Sequence, residues 1–165
     1  MSLVRSRHAL LSDALRAGIP AALLSGLPST IHALSIKRDP LEPTVAAGSI
    51  LLPREQRRER LLLAAIPVHL TLSAAWMLAI AAMAPRRNAL VEGSIAGLAI
   101  AALDLGVIGN RFPRIRALQP LPQIVDHLVF GIIAVAALQS RSGAWGRWLT
   151  GVQLATLVSN KDLTA

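Results

Sequence analysis

Residues 61–84 form a run of 24 positions without a formal charge, in which His69 is the one group able to take a proton. A helix rises about 1.5 Å per residue, so about 20 apolar residues cross the hydrocarbon core of a bilayer. The run therefore predicts a transmembrane helix. Three more apolar stretches follow the same logic. The first covers residues 14–34 and is interrupted at Pro20 and Pro28, which predicts a broken or kinked span. Intramembrane prolines are tolerated where neighbours or hydroxyl side chains satisfy the freed backbone groups, and Ser25, Ser29 and Thr30 stand nearby. The third span is expected over 89–109. The fourth is expected over 124–139 or, begun earlier, 121–139; being short, it would otherwise thin the bilayer locally.

The polar stretches divide these spans. Residues 44–53 are mildly apolar, too short to cross, and closed by Pro53, which predicts an interfacial or re-entrant helix in the first loop. The link Pro85-Arg86-Arg87-Asn88 is so short that the second and third spans are expected to lie antiparallel and adjacent. Trp145 and Trp148 sit like an interfacial anchor at the head of a C-terminal surface segment, 145–165. At the other end, Arg5, Arg7 and Arg16 precede the first apolar stretch as they would in a secretory signal. Ile31-His32-Ala33 imitates a cleavage site poorly, so an uncleaved first helix is expected. The fold class is thus all-α: one polytopic membrane domain over residues 1–165, a four-helix transmembrane bundle with an interfacial helix in its first loop.

Composition narrows the chemistry. The chain is 53% hydrophobic and carries a net charge of +8, no cysteine and no tyrosine. Disulfides, thiolate metal sites and cysteine nucleophiles are excluded. The arginines cluster at the ends of apolar runs, at 54–60, 86–87 and 111–116, where they reach anionic lipid headgroups. Aromatic content of 3% offers no stacking platform for bases, so nucleic acid is not an expected partner. Basic residues are nearly balanced between the two sides, which leaves the orientation open.

The informative polar residues lie inside the spans. Gly93, Gly97 and Ala101 recur every fourth position and make a flat ridge for helix packing. Asp104 falls on almost the same face as Gly97, so its carboxylate points into the bundle rather than at lipid. Alternating topology brings His32, His69, Asp104, Asp126 and His127 to one level, nearer the side of the first and third loops. Ser73 and Trp76 share a helix face with His69.

Two readings of that polar layer compete. In one, the histidines and aspartates are interhelical hydrogen-bonding glue. In the other, they handle a metal ion, with His69, Asp104 and His127 as candidate ligands, or they relay protons. No zincin pattern is present, and the sequence leaves the cofactor unknown. A haem between His69 and His127 would want more room and more aromatic lining. No P-loop, dinucleotide fingerprint or GxSxG setting occurs.

Several stretches together carry a resemblance. They are Leu27-Pro28-Ser29-Thr30-Ile31-His32, Asp39-Pro40-Leu41-Glu42, Ala102-Leu103-Asp104-Leu105-Gly106, Phe112-Pro113-Arg114-Ile115-Arg116, Pro122-Gln123-Ile124-Val125-Asp126-His127 and Phe130-Gly131. This set, which reaches to about residue 138, resembles a group of small bacterial four-helix membrane proteins without an assigned activity. The resemblance implies four spans and a bacterial cytoplasmic membrane, and it implies no reaction. The expected function is a small membrane component that packs with itself or with a larger membrane partner. The alternative is a metal- or proton-handling site, enzyme or transporter, built from the polar layer.

Overall fold

The computed structural model describes residues 18–83 and 88–143, and within them every regular element is helical. Helix α1 occupies 18–24, followed by a turn at Ser25 and Gly26 and then α2, Leu27–Ser35. The break has a local cause. Pro28 has no N–H to continue the helix, and its ring suits a first turn; it stands at the start of α2. At its other end α2 closes with Arg38 N–H on Ala33 C=O at 2.8 Å and Lys37 N–H on Leu34 C=O at 3.2 Å. Lys37 takes the left-handed conformation, φ 55°, that this helix stop requires.

Helix α3, Glu42–Leu51, covers the sequence-predicted interfacial stretch and packs on the start of α4, Arg58–Met83. Gly48 allows the contact, since a Cβ there would collide with the Leu61 backbone. Helix α4 has 26 residues and accommodates Pro67 in its interior. Ion pairs fasten the start of α4 to the connections on both sides of α3. Arg58 grips Asp39, in the α2–α3 connection, with both terminal guanidinium nitrogens, Nη2 to Oδ1 at 2.9 Å, and Arg60 meets Glu55, in the α3–α4 loop, at 3.1 Å.

Helix α5, Ala89–Ala101, is capped by Asn88, whose Oδ1 accepts from Leu90 N–H and Val91 N–H. Glu92 returns the bond to Asn88 N–H at 3.2 Å. The chain then changes its winding without changing direction: Ala102–Ile108 is π-helical and Gly109–Arg111 is 3₁₀. A short α6, Pro113–Arg116, leads into α7, Pro120–Gly143. With 24 residues α7 exceeds the 121–139 stretch at both ends, so it is long enough to cross a bilayer without thinning it.

Among the described residues three helices are long and apolar enough to cross a membrane: Arg58–Met83, Ala89–Arg111 and Pro120–Ser140. The first predicted span, 14–34, is not a fourth such helix over its described part, because the turn at Ser25–Gly26 divides it. Trp145, Trp148, the segment 145–165, and Pro85, Arg86 and Arg87 lie outside the described residues. Large apolar side chains face outward along the long helices, among them Leu63, Leu70 and Ile95, each more than 60% exposed. Such a surface fits lipid tails rather than water.

The tightest packing joins α5 to α7, which run antiparallel. A Cβ on Gly93 would strike the backbone of Gly131 and Ile132, one on Gly97 the backbone of His127 and Leu128, and one on Gly131 the backbone of Gly93 and Gly97. Thus α5 takes α7 as its chief partner, not α4, its neighbour in sequence. Ala101 is buried as well. A dry core forms beside this contact, from Met77, Ile80, Ile100, Phe130, Ala134, Val135 and Leu138.

Two outcomes test this packing and the loop that closes it. Gly131→Ala should destabilise the bundle by about 1–3 kcal/mol, because backbone cannot yield to the new methyl. Gly26→Ala, which meets open space, should be neutral or stabilising by about 0.4–1 kcal/mol; thermal unfolding in detergent compares them. In the loop, the Arg58 guanidinium and then the Leu41 N–H hold the Asp39 carboxyl below the ordinary carboxylate range. Its contribution to stability is then full above that range and is lost as pH falls through the lowered value. Carboxyl NMR should find Asp39 titrating low, and Arg58→Ala should return it upward.

Candidate functional site

The site begins with the break in the first apolar segment. The turn exposes backbone groups that a continuous helix would have paired, and inside a membrane each needs a partner. Part of the repair is local: Ser25 Oγ donates to the released Ala22 C=O at 3.4 Å. Gly26 C=O keeps its Thr30 N–H at 3.2 Å and takes Thr30 Oγ1 and Ser29 Oγ as well, at 2.7 and 3.3 Å. The rest comes from other helices. Asp126 of α7 accepts the Ser29 N–H at 2.9 Å, which places a carboxylate on the N-terminal turn of α2. His69 of α4 donates from Nε2 to Ala22 C=O, 3.3 Å away in the last turn of α1.

A second polar knot lies across from it. Asp104, in the π-helical stretch, meets His127 of α7 with Oδ2 at 3.3 Å from Nε2. The Trp76 indole N–H donates to the same oxygen at 3.1 Å. The other ring nitrogen of His127, Nδ1, is 2.7 Å from the Gln123 carbonyl oxygen. A carbonyl only accepts, so Nδ1 carries a proton and donates it. A hydrogen bond between Nε2 and Oδ2 then needs one further proton, held as an imidazolium beside a carboxylate or as a carboxylic acid beside a neutral ring; with that proton the pair is neutral as a unit. Asp104 Oδ1 is buried and has no hydrogen-bond partner among the described residues.

Both knots border one cavity of about 460 Å³. His69, Asp104, Asp126 and His127 all line it, together with Ser73 and Trp76. The remaining lining is mostly apolar and comes from the α1–α2 turn and from α3 to α7, including Ile66, Leu70, Ile100, Leu105, Ile108 and Phe130. The apolar core adjoins the cavity and shares Ile100 and Phe130 with its wall. His32 is not part of the lining; its Nε2 is paired with Gln119 Oε1 at 2.7 Å, at an exposed position just before α7.

The five residues of the expected layer therefore divide. Asp104 and His127 bond to each other, His69 and Asp126 each hold an end of the broken helix, and His32 stands apart. Among the described residues no three His, Asp or Glu side chains come together as a metal-binding group, so His69, Asp104 and His127 do not form a ligand set here. The π-helical turn under Asp104 was not foreseen, and periodicity alone carries no signal for it. The role of Asp126 had one: a proline at a helix start leaves nearby N–H groups seeking an acceptor.

No family model, curated protein or solved structure matches the chain.

Removing the acceptor from the α2 terminus should be costly in proportion to one interhelical bond. Asp126→Ala is expected to lower stability by about 1–2 kcal/mol, and Asp126→Asn, which keeps an acceptor oxygen, to recover most of it. Thermal unfolding of the three proteins in the same detergent measures the difference; equal losses in both variants would deny Asp126 the capping role.

Proposed function

We propose that this chain is a multi-pass membrane protein whose embedded segments enclose a binding cavity for a small lipid-soluble molecule. In this reading four segments lie in the bilayer. Three are the long helices, and the fourth is the discontinuous pair α1–α2, whose broken ends face the cavity as irregular backbone does at intramembrane sites. Helix α3 rests at the interface. The outer apolar faces meet lipid tails, and the arginine-rich loops meet anionic headgroups. The resemblance to bacterial four-helix membrane proteins supports placement in a bacterial cytoplasmic membrane.

The observation that carries this reading is the cavity of about 460 Å³, apolar over most of its lining and polar where Asp104, His127 and Trp76 meet. Its size falls in the range of small-molecule sites, about 300–1,000 Å³, which combine apolar walls with a few placed polar groups. Interhelical glue alone would leave these residues packed against one another, with no space beside them. The shared proton of Asp104 and His127 gives the site a polar handle that can donate or accept.

Trp76 makes the reading testable. In a protein whose Trp145 and Trp148 are replaced by Phe, a para-bromophenylbutyl alcohol should quench Trp76 emission saturably by heavy-atom contact. Filling the cavity with Ala47→Phe or Ser73→Leu should abolish the saturable component and keep the background from bilayer partitioning. Quenching that only rises linearly with probe, equally in filled and unfilled proteins, would refute a binding cavity.

A further inference from the structure

The cavity is a slot with two unlike ends. Its α4 wall runs from Ala65 to Trp76, which at about 1.5 Å per residue is a length of about 16 Å along that helix. The end nearer the start of α4 is lined by Pro40 before α3, Ile115 of α6 and Leu118 before α7. The other end lies against Trp76, Ile100 and Phe130, beside the apolar core. Between the two ends the wall reaches the outer surface, since Ile66 and Leu70 line the slot and are 56% and 62% exposed. With α4 across the membrane, this side opening faces lipid chains.

Polarity is graded along the slot. At depth the ionisable side chains are tied inside the protein: Asp104 with Trp76 and His127, Asp126 with Ser29 N–H, and His69 with Ala22 C=O. Leu70, Leu72, Leu105 and Ile108 share that wall and suit hydrocarbon. Nearer the loops, in the first turns of α3 and α7, the Thr44 hydroxyl and the Gln123 side-chain amide have no hydrogen bond among the described residues. Beyond this end come cations. Lys37 and Arg38 precede Pro40, and Arg111 and Arg116 stand on either side of Ile115. All four are exposed and make no ion pair among the described residues. His32 and Gln119 join the end of α2 to the approach to α7, so the two pairs flank one rim. The acids there are Asp39, taken by Arg58, and Glu42 at the start of α3, which leaves the rim positive.

We infer that the slot seats one acyl chain of an anionic phospholipid, whose phosphate stands at the cationic rim and whose ester carbonyl meets Thr44 or Gln123. The inference rests on the binding-cavity reading and names its ligand class. A lipid already in the leaflet keeps its headgroup at the interface and passes a chain through the side opening, so no charge crosses the hydrocarbon.

The test uses the full chain with Trp76 as its one tryptophan, in phosphatidylcholine nanodiscs. Two lysolipids with the same dibromostearoyl chain, one with a phosphate head and one with phosphocholine, are titrated as quenchers of Trp76. The phosphate form is expected to half-saturate at about a tenfold lower share of the lipid, since each cation near the surface favours it. Arg111→Gln and Arg116→Gln together should remove most of that preference while the chain still quenches saturably. Ser73→Leu or Ala47→Phe, which fill the slot, should remove saturable quenching by both lysolipids. Equal half-saturation for the two heads, or a preference unchanged without the two arginines, would overturn the anionic-lipid assignment. Saturable quenching by para-bromophenylbutyl alcohol with none by either lysolipid would overturn it too and leave the cavity reading standing. No saturable quenching by any of the three would overturn both.

Discussion

A backbone group released by a helix break needs another partner, and this constraint organises the molecule around the turn at Ser25 and Gly26. An unsatisfied N–H or C=O in hydrocarbon costs several kcal/mol, about as much as a whole small domain can lose before it unfolds. Pro28 stands at the start of α2, just after the break, and the repair reaches beyond the segment itself. Asp126 takes the Ser29 N–H, and His69 reaches the Ala22 carbonyl. The broken segment is thereby tied to α7 at one stump and to α4 at the other. Two polar side chains that would be a burden in an unbroken bundle become the bonds that hold the break in place.

The other half of the bundle is held by shape. Gly93, Gly97 and Gly131 let α5 and α7 approach until backbone meets backbone, which gains dispersion contacts where lipid supplies no hydrophobic driving force between helices. That contact anchors the dry core from Met77 to Leu138. The glycine contacts run from Gly93 to Gly97 on α5, and Ala101, one turn further, is buried as well. The cavity opens at the level where α5 leaves α-helical winding at Ala102. A π turn adds a residue per turn and shifts the side chains that follow; such turns recur at functional sites. Here Asp104 stands within the π-helical stretch, bonded to α4 through Trp76 and to α7 through His127.

Much of this was legible in the hydrophobic pattern, and the exceptions have physical reasons. The run 61–84 marks α4 to within a few residues, because lipid demands an uninterrupted apolar length. An inward Asp104 follows from the cost of exposing a carboxylate to lipid. The level shared by His69, Asp104, Asp126 and His127 follows from counting turns between loops. Counting turns gives depth but not azimuth, so it could not separate His32, which pairs with Gln119 outside the cavity, from the others. Nor could it reveal which groups bond, since the partners of Asp126 and His69 are backbone atoms, which every residue carries and no side-chain pattern marks. The preference of α5 for α7 over α4 depends on Gly131 facing Gly93 and Gly97 across a long sequence interval. A short link only limits how far apart α4 and α5 can lie.

The Asp104–His127 pair resolves the tension between burial and charge. Each group alone would be expensive to ionise in this setting, and a lone buried ion pair often fails to recover its desolvation cost. The Gln123 carbonyl fixes a proton on Nδ1, and a further proton held between Nε2 and Asp104 Oδ2 makes ring and carboxyl neutral together. A pair in that state needs no lysine or arginine beside it, and none lines the cavity. Oδ1 is enclosed by the protein and has no hydrogen-bond partner among the described residues, so the carboxyl is held through Oδ2 alone, by Trp76 and His127.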